Sequence, residues 1–346
     1  MTGLSPLPVR TVMPHEGERH DRLWMAWPAA DYMLDGSAAP RDEVLRAWAG
    51  VAHAASGYEP VTMVVDPAHR TTARRRLSRD IDLLVAPIDD AWLRDSGPTF
   101  VQTTSGLAVV DWVFNAWGGL TLAGTGHDAT IARRIGEHLG LEVIRSELVA
   151  EGGGIHIDGE GTALVTETVL RDPARNPGWS RDRVEEELSR ALGAQRVVWL
   201  SRGLTRDYGP YGTRGHVDMV AAFAGGGRVL LHDQRDPHHP DHGVTAILRR
   251  ELAEATDAHG RAFEVVDLPA PDVLRDDDGW VDYSYVNHAL VNGGVIACAF
   301  DDPRDADAAA ILRDAYPGRE VVSVDARAIF ALGGGIHCIT QQQPAL

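Results

Sequence analysis

Apolar residues recur at helical spacing in five segments of the chain, 41–56, 127–139, 180–192, 241–257 and 304–316. In the first, Val44, Leu45, Trp48 and Val51 mark one face; in the third, Val184, Leu188 and Leu192 do the same. A glycine follows each segment within a few residues, at Gly57, Gly140, Gly193, Gly260 and Gly318, where a helix end favours a left-handed residue. A β-branched run then follows each time: VTMVV, LEVI, RVVWL, FEVVDL and EVVSV. The pattern predicts five helix, glycine, strand units, roughly 55 to 85 residues apart, and so an internally repeated architecture. Further strand-like runs lie between them, LAVVDWVF, GTALVTE, GRVLLHD and GGVIACAF, bounded by glycine and aspartate turns. The expected class is mixed α/β. No linker divides the 346 residues, so the expected organisation is a single domain over 1–346.

Composition narrows the function classes. Hydrophobic residues at 44% and charged residues at 24% exclude a disordered chain and supply a sizeable core. No apolar run has the length of a membrane span, and the opening MTGLSPLPVR lacks the apolar region of a signal peptide, which predicts a cytoplasmic protein. With 33 basic against 50 acidic residues the net charge is -17, a field that repels nucleic acid and anionic membranes and suits a cationic small molecule, or simply solubility. The two cysteines, Cys298 and Cys338, form neither a disulfide framework nor a structural zinc spacing.

Unusual polar residues accumulate after each repeated strand, in DDAWLRDSGP, VAEGGGIHIDG, RGLTRDYGPYGTRGHVD, DDDGWVDYSYVN and LGGGIHCITQQQP. If the units surround an axis, these loops converge on one pocket. Cys298 sits in the apolar GGVIACAF and reads as core. Cys338, set among glycines and glutamines, reads as a nucleophile. His216 and Asp218 in H-V-D would face the same way along a strand and supply a proton-transfer group with a carboxylate; a histidine satisfied at a strand end is the plainer alternative. Asp95 could equally be a turn cap, and Glu151 a surface or capping residue. Taken together they suit a guanidinium, whose paired N–H groups match carboxylates bidentately. Cys338 would add to the central carbon between Asp95 and Asp218. His216 would protonate departing ammonia and then activate water, with Glu151 orienting it.

These motifs resemble the agmatine deiminase family of guanidino-modifying enzymes. The match runs from MPHEGERHDRLWMAWP through DDAWLRDSGPTF, DWVFNAWGG, EGGGIHIDGEGTALVTE, RNPGWS and GHVD to YVNHALVNGGVI and GGIHCITQQQP. The resemblance implies a five-bladed α/β propeller, the pentein fold, with a central site, no metal, no organic cofactor and usually a homodimer. It implies hydrolysis of agmatine to N-carbamoylputrescine and ammonia in polyamine metabolism. It also gives Cys338 as nucleophile, His216 as acid/base, Glu151 as its partner, Asp95 and Asp218 as guanidinium ligands, and Trp92 and Trp117 as pocket walls.

The chain departs from the family pattern at Arg214 and Met219, where asparagines are common around G-H-V-D, and at Gly335, where asparagine commonly precedes I-H-C. The loop Thr205 to Arg214 is also longer and more basic than usual. Arg206 or Arg214 would repel an ammonium and pair with a carboxylate, giving an acidic guanidino compound as the alternative substrate; both arginines could equally hold the loop by ion pairs. An amidinotransferase would use the same residues. From other classes, HDQRDPHHPDH at 232–242 could be a histidine metal cluster, and a non-catalytic guanidine-binding protein would keep the same pocket.

Overall fold

The computed structural model describes residues 11–119 and 124–346; the signal-peptide reading of MTGLSPLPVR lies outside them. The strands form five mixed sheets and one small hairpin. Four sheets repeat a single plan: two antiparallel strands, a helix, and a third strand parallel to the middle one. They comprise β4 (Thr99–Thr103), β5 (Gly106–Val113) and β6 (Glu142–Val149); β7 (Ile155–Ile157), β8 (Thr162–Thr166) and β9 (Arg196–Leu200); β10 (Ala221–Gly225), β11 (Arg228–Asp233) and β12 (Glu264–Pro269); and β15 (Ala289–Val291), β16 (Gly294–Ala299) and β17 (Glu320–Asp325). The remaining sheet contains β1 (His20–Ala26), β2 (Val61–Val65) and β3 (Asp82–Val85), all parallel, and gains its antiparallel member from β18 (Thr340–Pro344). β13 (Arg275–Asp276) and β14 (Gly279–Trp280) make the hairpin.

The helices fall where the apolar spacing put them: α1 (Arg41–Ser56), α2 (Ile131–Leu139), α3 (Arg181–Leu192), α4 (Asp241–Glu254) and α5 (Asp305–Ala315). Val44, Leu45, Trp48 and Val51 are all buried, the stripe that period 3.6 requires. Ser180 caps α3 by accepting from the Arg183 amide at 3.2 Å. Four of the five glycines are left-handed, Gly318 (φ 85°) two residues past the Tyr316 cap of α5, but only two of them cap a helix directly. Gly140 and Gly193 cap α2 and α3 with φ of 68° and 76°, but Gly57 is right-handed at -72° and Gly260 lies beyond the end of α4, in a turn closed by the Thr256–Ala262 bridge. β2 and β8 are buried along their whole length, which explains runs that are apolar throughout rather than alternating. No sheet closes on itself among the described residues, and the sheets remain separate. No helix there is long and apolar enough to cross a membrane.

Each sheet's antiparallel outer strand is entered from a loop that carries a polar residue. Asp95 precedes β4, Glu151 precedes β7, His216 and Asp218 precede β10, Asn287 precedes β15 and Cys338 precedes β18. Five equivalent positions of the repeat thus supply one set of side chains.

Candidate active site

All five expected site residues are buried together. Cys338 is 4% exposed, Asp95 4%, Asp218 2%, and Glu151 and His216 0%. The glycine beside Glu151 explains how they meet. A Cβ on Gly153 would lie 2.6 Å from His216 Nδ1, 2.8 Å from Asp95 Oδ1 and 2.9 Å from Asp218 Oδ2, so only a hydrogen fits at the point where three functional groups converge. His216 caps a short 3-10 turn, Val217–Met219, and Asp218 lies within it, rather than both lying along a strand as their spacing suggested.

The Cys338 thiol lies 3.5 Å from Asp218 Oδ2 and accepts from Asn287 Nδ2 at 3.2 Å. Burial and the neighbouring Asp218 and Asp95 push its pKa well above that of a free cysteine. Asp218 accepts from His337 Nδ1 at 2.8 Å, and the other His337 nitrogen lies 3.0 Å from both Glu16 oxygens. An imidazole bonded to a carboxylate at each nitrogen donates twice and is therefore cationic. Burial and Arg94 oppose that charge, but Glu16 and Asp218 outweigh them and raise the His337 pKa; burial likewise opposes ionised Asp218, yet His337 lowers its pKa. Arg94 completes the chain, donating to Glu16 at 3.0 Å.

Glu151 accepts from Arg175 Nε at 2.9 and 3.1 Å and lies 3.3 Å from His216 Nε2. Burial disfavours its charge, but Arg175 and the hydrogen bond with His216 bring its pKa down to about 2. Burial would also neutralise His216, yet Asp95, Glu151 and Asp218 raise its pKa to about 9, so it is an imidazolium at neutral pH. Asp95 accepts from the Gly153 amide at 3.0 Å and Trp117 Nε1 at 2.8 Å, while burial, opposed by His216, lifts its pKa to about 6. Trp117 reaches it from a left-handed backbone, φ 53°, a conformation that a bulky residue rarely adopts. Within this cluster, two buried atoms have no hydrogen-bond partner among the described residues: His216 Nδ1 and Asp218 Oδ1.

A small inner cavity, about 20 Å³, is lined by Cys338, Asp95, Trp92, Trp117, Tyr32 and Tyr211, among others. Trp92 donates to the Tyr32 hydroxyl at 2.8 Å, and Tyr32 stacks on Tyr211 at 5.9 Å. Tyr211 belongs to the basic loop, which Asp207 fastens down by accepting from the Thr213, Gly215 and His216 amides.

The two arginines of that loop are not among the residues lining the inner cavity. Arg206 donates to Asp276 at 2.5 Å, and Arg214, half-exposed with φ of 72°, donates to Asp172 at 2.9 Å. Met219 is buried and takes an Asn287 contact at 3.4 Å through sulfur. A Cβ on Gly335 would approach Asn287 Oδ1 to 2.4 Å, so glycine here makes room for that amide. Cys298 is core, its pKa pushed up to about 12 by burial. The 232–242 histidines are dispersed over separate partners: Ser284 for His232, Asp236 for His238, Val281 for His239 and Gln234 for His242. Among the described residues, Glu16, His156 and His337 bring ligand-type atoms within 4.8 Å of one another. Arg94 already shares Glu16, and both His337 nitrogens face carboxylates, an arrangement filled by protons and a guanidinium rather than shaped for a metal.

Residues 12–344 match the family of Porphyromonas-type peptidyl-arginine deiminases. An agmatine deiminase of Stutzerimonas stutzeri is 40% identical over 96% of this chain and 95% of its own. The chain belongs to the agmatine deiminase family. A Streptomyces coelicolor protein with a provisional agmatine deiminase name is 54% identical, over 96% and 98% of the two chains. The solved agmatine deiminase of Enterococcus faecalis superposes with a TM-score of 0.89 at 32% identity, covering 99% of this chain and 98% of that one. Glu16, Arg94, Arg175, Asn287 and His337 escaped the sequence reading as site residues, although each lies inside a quoted family motif or next to one of its site residues.

Proposed function

We propose that this chain hydrolyses agmatine to N-carbamoylputrescine and ammonia through a covalent intermediate on Cys338. One observation carries the reading: Asp218, whose Oδ2 lies 3.5 Å from the Cys338 thiol, keeps its other oxygen buried without a partner. Leaving such an atom unpaired costs about 1–3 kcal/mol, which a guanidinium donating to Asp218 would recover, while the unpaired Nδ1–H of His216 stays free to protonate a nitrogen of the adduct.

The charges define the order of events. In the free protein Cys338 is a thiol, because burial and then the carboxylates of Asp218 and Asp95 oppose a thiolate. A guanidinium held by Asp95 and Asp218 reverses that local field, and the thiol proton is lost to solvent. The thiolate forms a bond to the guanidino carbon, giving a tetrahedral adduct. His216, already an imidazolium, passes its proton to one terminal nitrogen; the C–N bond breaks and ammonia leaves, with a thiouronium on Cys338. Neutral His216 then takes a proton from water as the oxygen adds to the same carbon. The C–S bond breaks and the hydroxyl proton of the adduct passes to the sulfur, restoring the Cys338 thiol and releasing the neutral ureido product. Glu151, pinned by Arg175, holds the ring throughout and stabilises its charged form.

Arg206 and Arg214 already have carboxylate partners, which supports a loop-holding role for both and a cationic rather than an acidic substrate. We read the five units as blades of one propeller domain over 1–346, a reading supported by their common strand plan and by β18 completing the first sheet. A cytoplasmic homodimer remains part of this proposal, on the family resemblance alone. The test is ammonia and ureido-product release from agmatine, with Cys338→Ala beside it and mass spectrometry of acid-quenched protein. Wild type should release both products and carry a thiouronium mass on the Cys338 peptide; the variant should lose at least about 10⁴-fold in rate. Ammonia release that requires an added amine would instead identify an amidinotransferase.

A further inference from the structure

An outer cavity of about 560 Å³ adjoins the inner one, and Tyr211 and Gly333 line both. Gly333 has φ of 103°, and a Cβ there would lie 2.4 Å from the Tyr211 carbonyl oxygen, so the two cavities meet at a tight backbone crossing. The outer lining is aromatic and charged, with Trp280, Tyr208, Tyr211 and Phe330 beside Asp278, Asp282 and Arg206.

Asp282 stands apart from the other buried carboxylates of this region. Asp207 accepts from the Thr213 amide and hydroxyl, and Asp241 accepts from the Thr205 amide and hydroxyl. Asp282 is 6% exposed, lines the cavity and takes no hydrogen bond from any other described residue. Burial, together with Asp207, lifts its pKa to about 7 against the pull of Arg206. The Arg206 guanidinium cannot serve it well, because one nitrogen bonds Asp276 at 2.5 Å and the Trp280 carbonyl at 3.3 Å and another lies 3.7 Å from Asp278. Three carboxylates (Asp276, Asp278 and Asp282) thus face one guanidinium, and the unpaired one lines the cavity. A buried carboxylate without a donor is costly unless a cation completes it, and aromatic rings around it favour such a cation further.

We propose that Asp282 receives the ammonium end of the substrate and is the residue that makes this deiminase prefer an amine-bearing guanidine. The assignment rests on the deiminase reading, since it needs the guanidino end at Cys338. A chain without the amine would leave Asp282 unpaired and bind correspondingly less well.

Initial rates with agmatine and with butylguanidine, the same chain lacking the amine, test this directly. Wild type should prefer agmatine by roughly 10- to 100-fold in kcat/KM, mainly through KM, as a charge-assisted hydrogen bond predicts. Asp282→Asn should reduce that ratio to within about threefold of unity, with much smaller change on butylguanidine, whereas Asp282→Glu should keep most of the preference. If Asp282→Asn does not fold, Asp282→Ser takes its place, so that the ratio is read in a folded charge-free variant. A wild-type ratio near one, or an undiminished ratio in a folded charge-free variant, overturns the role of Asp282. Release of ammonia from neither compound by wild type would overturn the deiminase reading, and with it this one.

Discussion

The inner and outer halves of the site are built differently. Around Cys338 the groups are nearly all buried and held by long-range partners: Glu151 by Arg175, Asp218 by His337, His337 by Glu16, and Glu16 by Arg94. The outer half is held by exposed or half-buried ion pairs close to the loop tips, such as Arg206 with Asp276 and Arg214 with Asp172. Buried paired charges are costly to break, because the partner is left uncompensated, whereas exposed pairs contribute little. The chemistry is therefore written into the frame, and the choice of substrate into parts that can change without disturbing it.

Glu151→Gln attacks the inner half and has the largest expected effect. It leaves Arg175 with Asp172 as its remaining buried carboxylate, which should cost about 1.5–3 kcal/mol in a denaturant melt, and it removes one of the charges that hold His216 as an imidazolium. Catalysis should fall by about 10³-fold or more. The pH profile sharpens this. The folded pKa of His216, about 9, lies above the ordinary imidazole value of 6.5, so its stabilising contribution is complete below about 6.5 and is lost as pH rises through about 9. Glu151 behaves oppositely: its contribution is present above 4.5 and is lost as pH falls toward about 2. Wild-type kcat should show an alkaline limb near pH 9, and Glu151→Gln should move that limb toward neutrality. A limb that stays in place would remove Glu151 as the partner of His216.

Gly153→Ala tests whether convergence rather than charge limits the inner half. The methyl would sit within 3 Å of His216, Asp95 and Asp218, displacing groups that must be aligned, and about a 100-fold loss in kcat is expected. The smallest effect belongs to the outer half. Arg214→Gly relieves a left-handed backbone while deleting the ion pair to Asp172, so stability should change by less than about 1 kcal/mol and activity on agmatine by less than about threefold. A larger loss of activity would make Arg214 part of the substrate site.

Much of the frame was legible because repetition amplifies weak signals: five helices and the strands behind them follow from apolar spacing alone. Cys338, Asp95 and Glu151 were legible from their glycine-rich or turn settings on the repeated loops. The polar run Thr340–Pro344 read as a loop, yet it is a buried strand, because β1 supplies its backbone partners and Trp24 donates to Gln343 at 3.0 Å. Local patterning cannot announce a pairing between distant segments. Arg175 and His337 were missed for the same reason; a buried ion becomes visible only when its counter-ion is located. The resemblance to the family carried what spacing could not, namely which compound the carboxylates await.

The pairing of β18 with β1 has a consequence for the order in which the protein matures. Trp24 and Gln343 are separated by 319 positions, so β1 waits beside an empty edge until that length of chain has been made. Contacts so distant in sequence close slowly, and an unpaired strand edge is a site for mispairing while it waits. The cysteine sits two residues ahead of the strand that ends this wait. Joining β18 to β1 therefore completes that sheet and fixes the backbone next to Cys338 in one event.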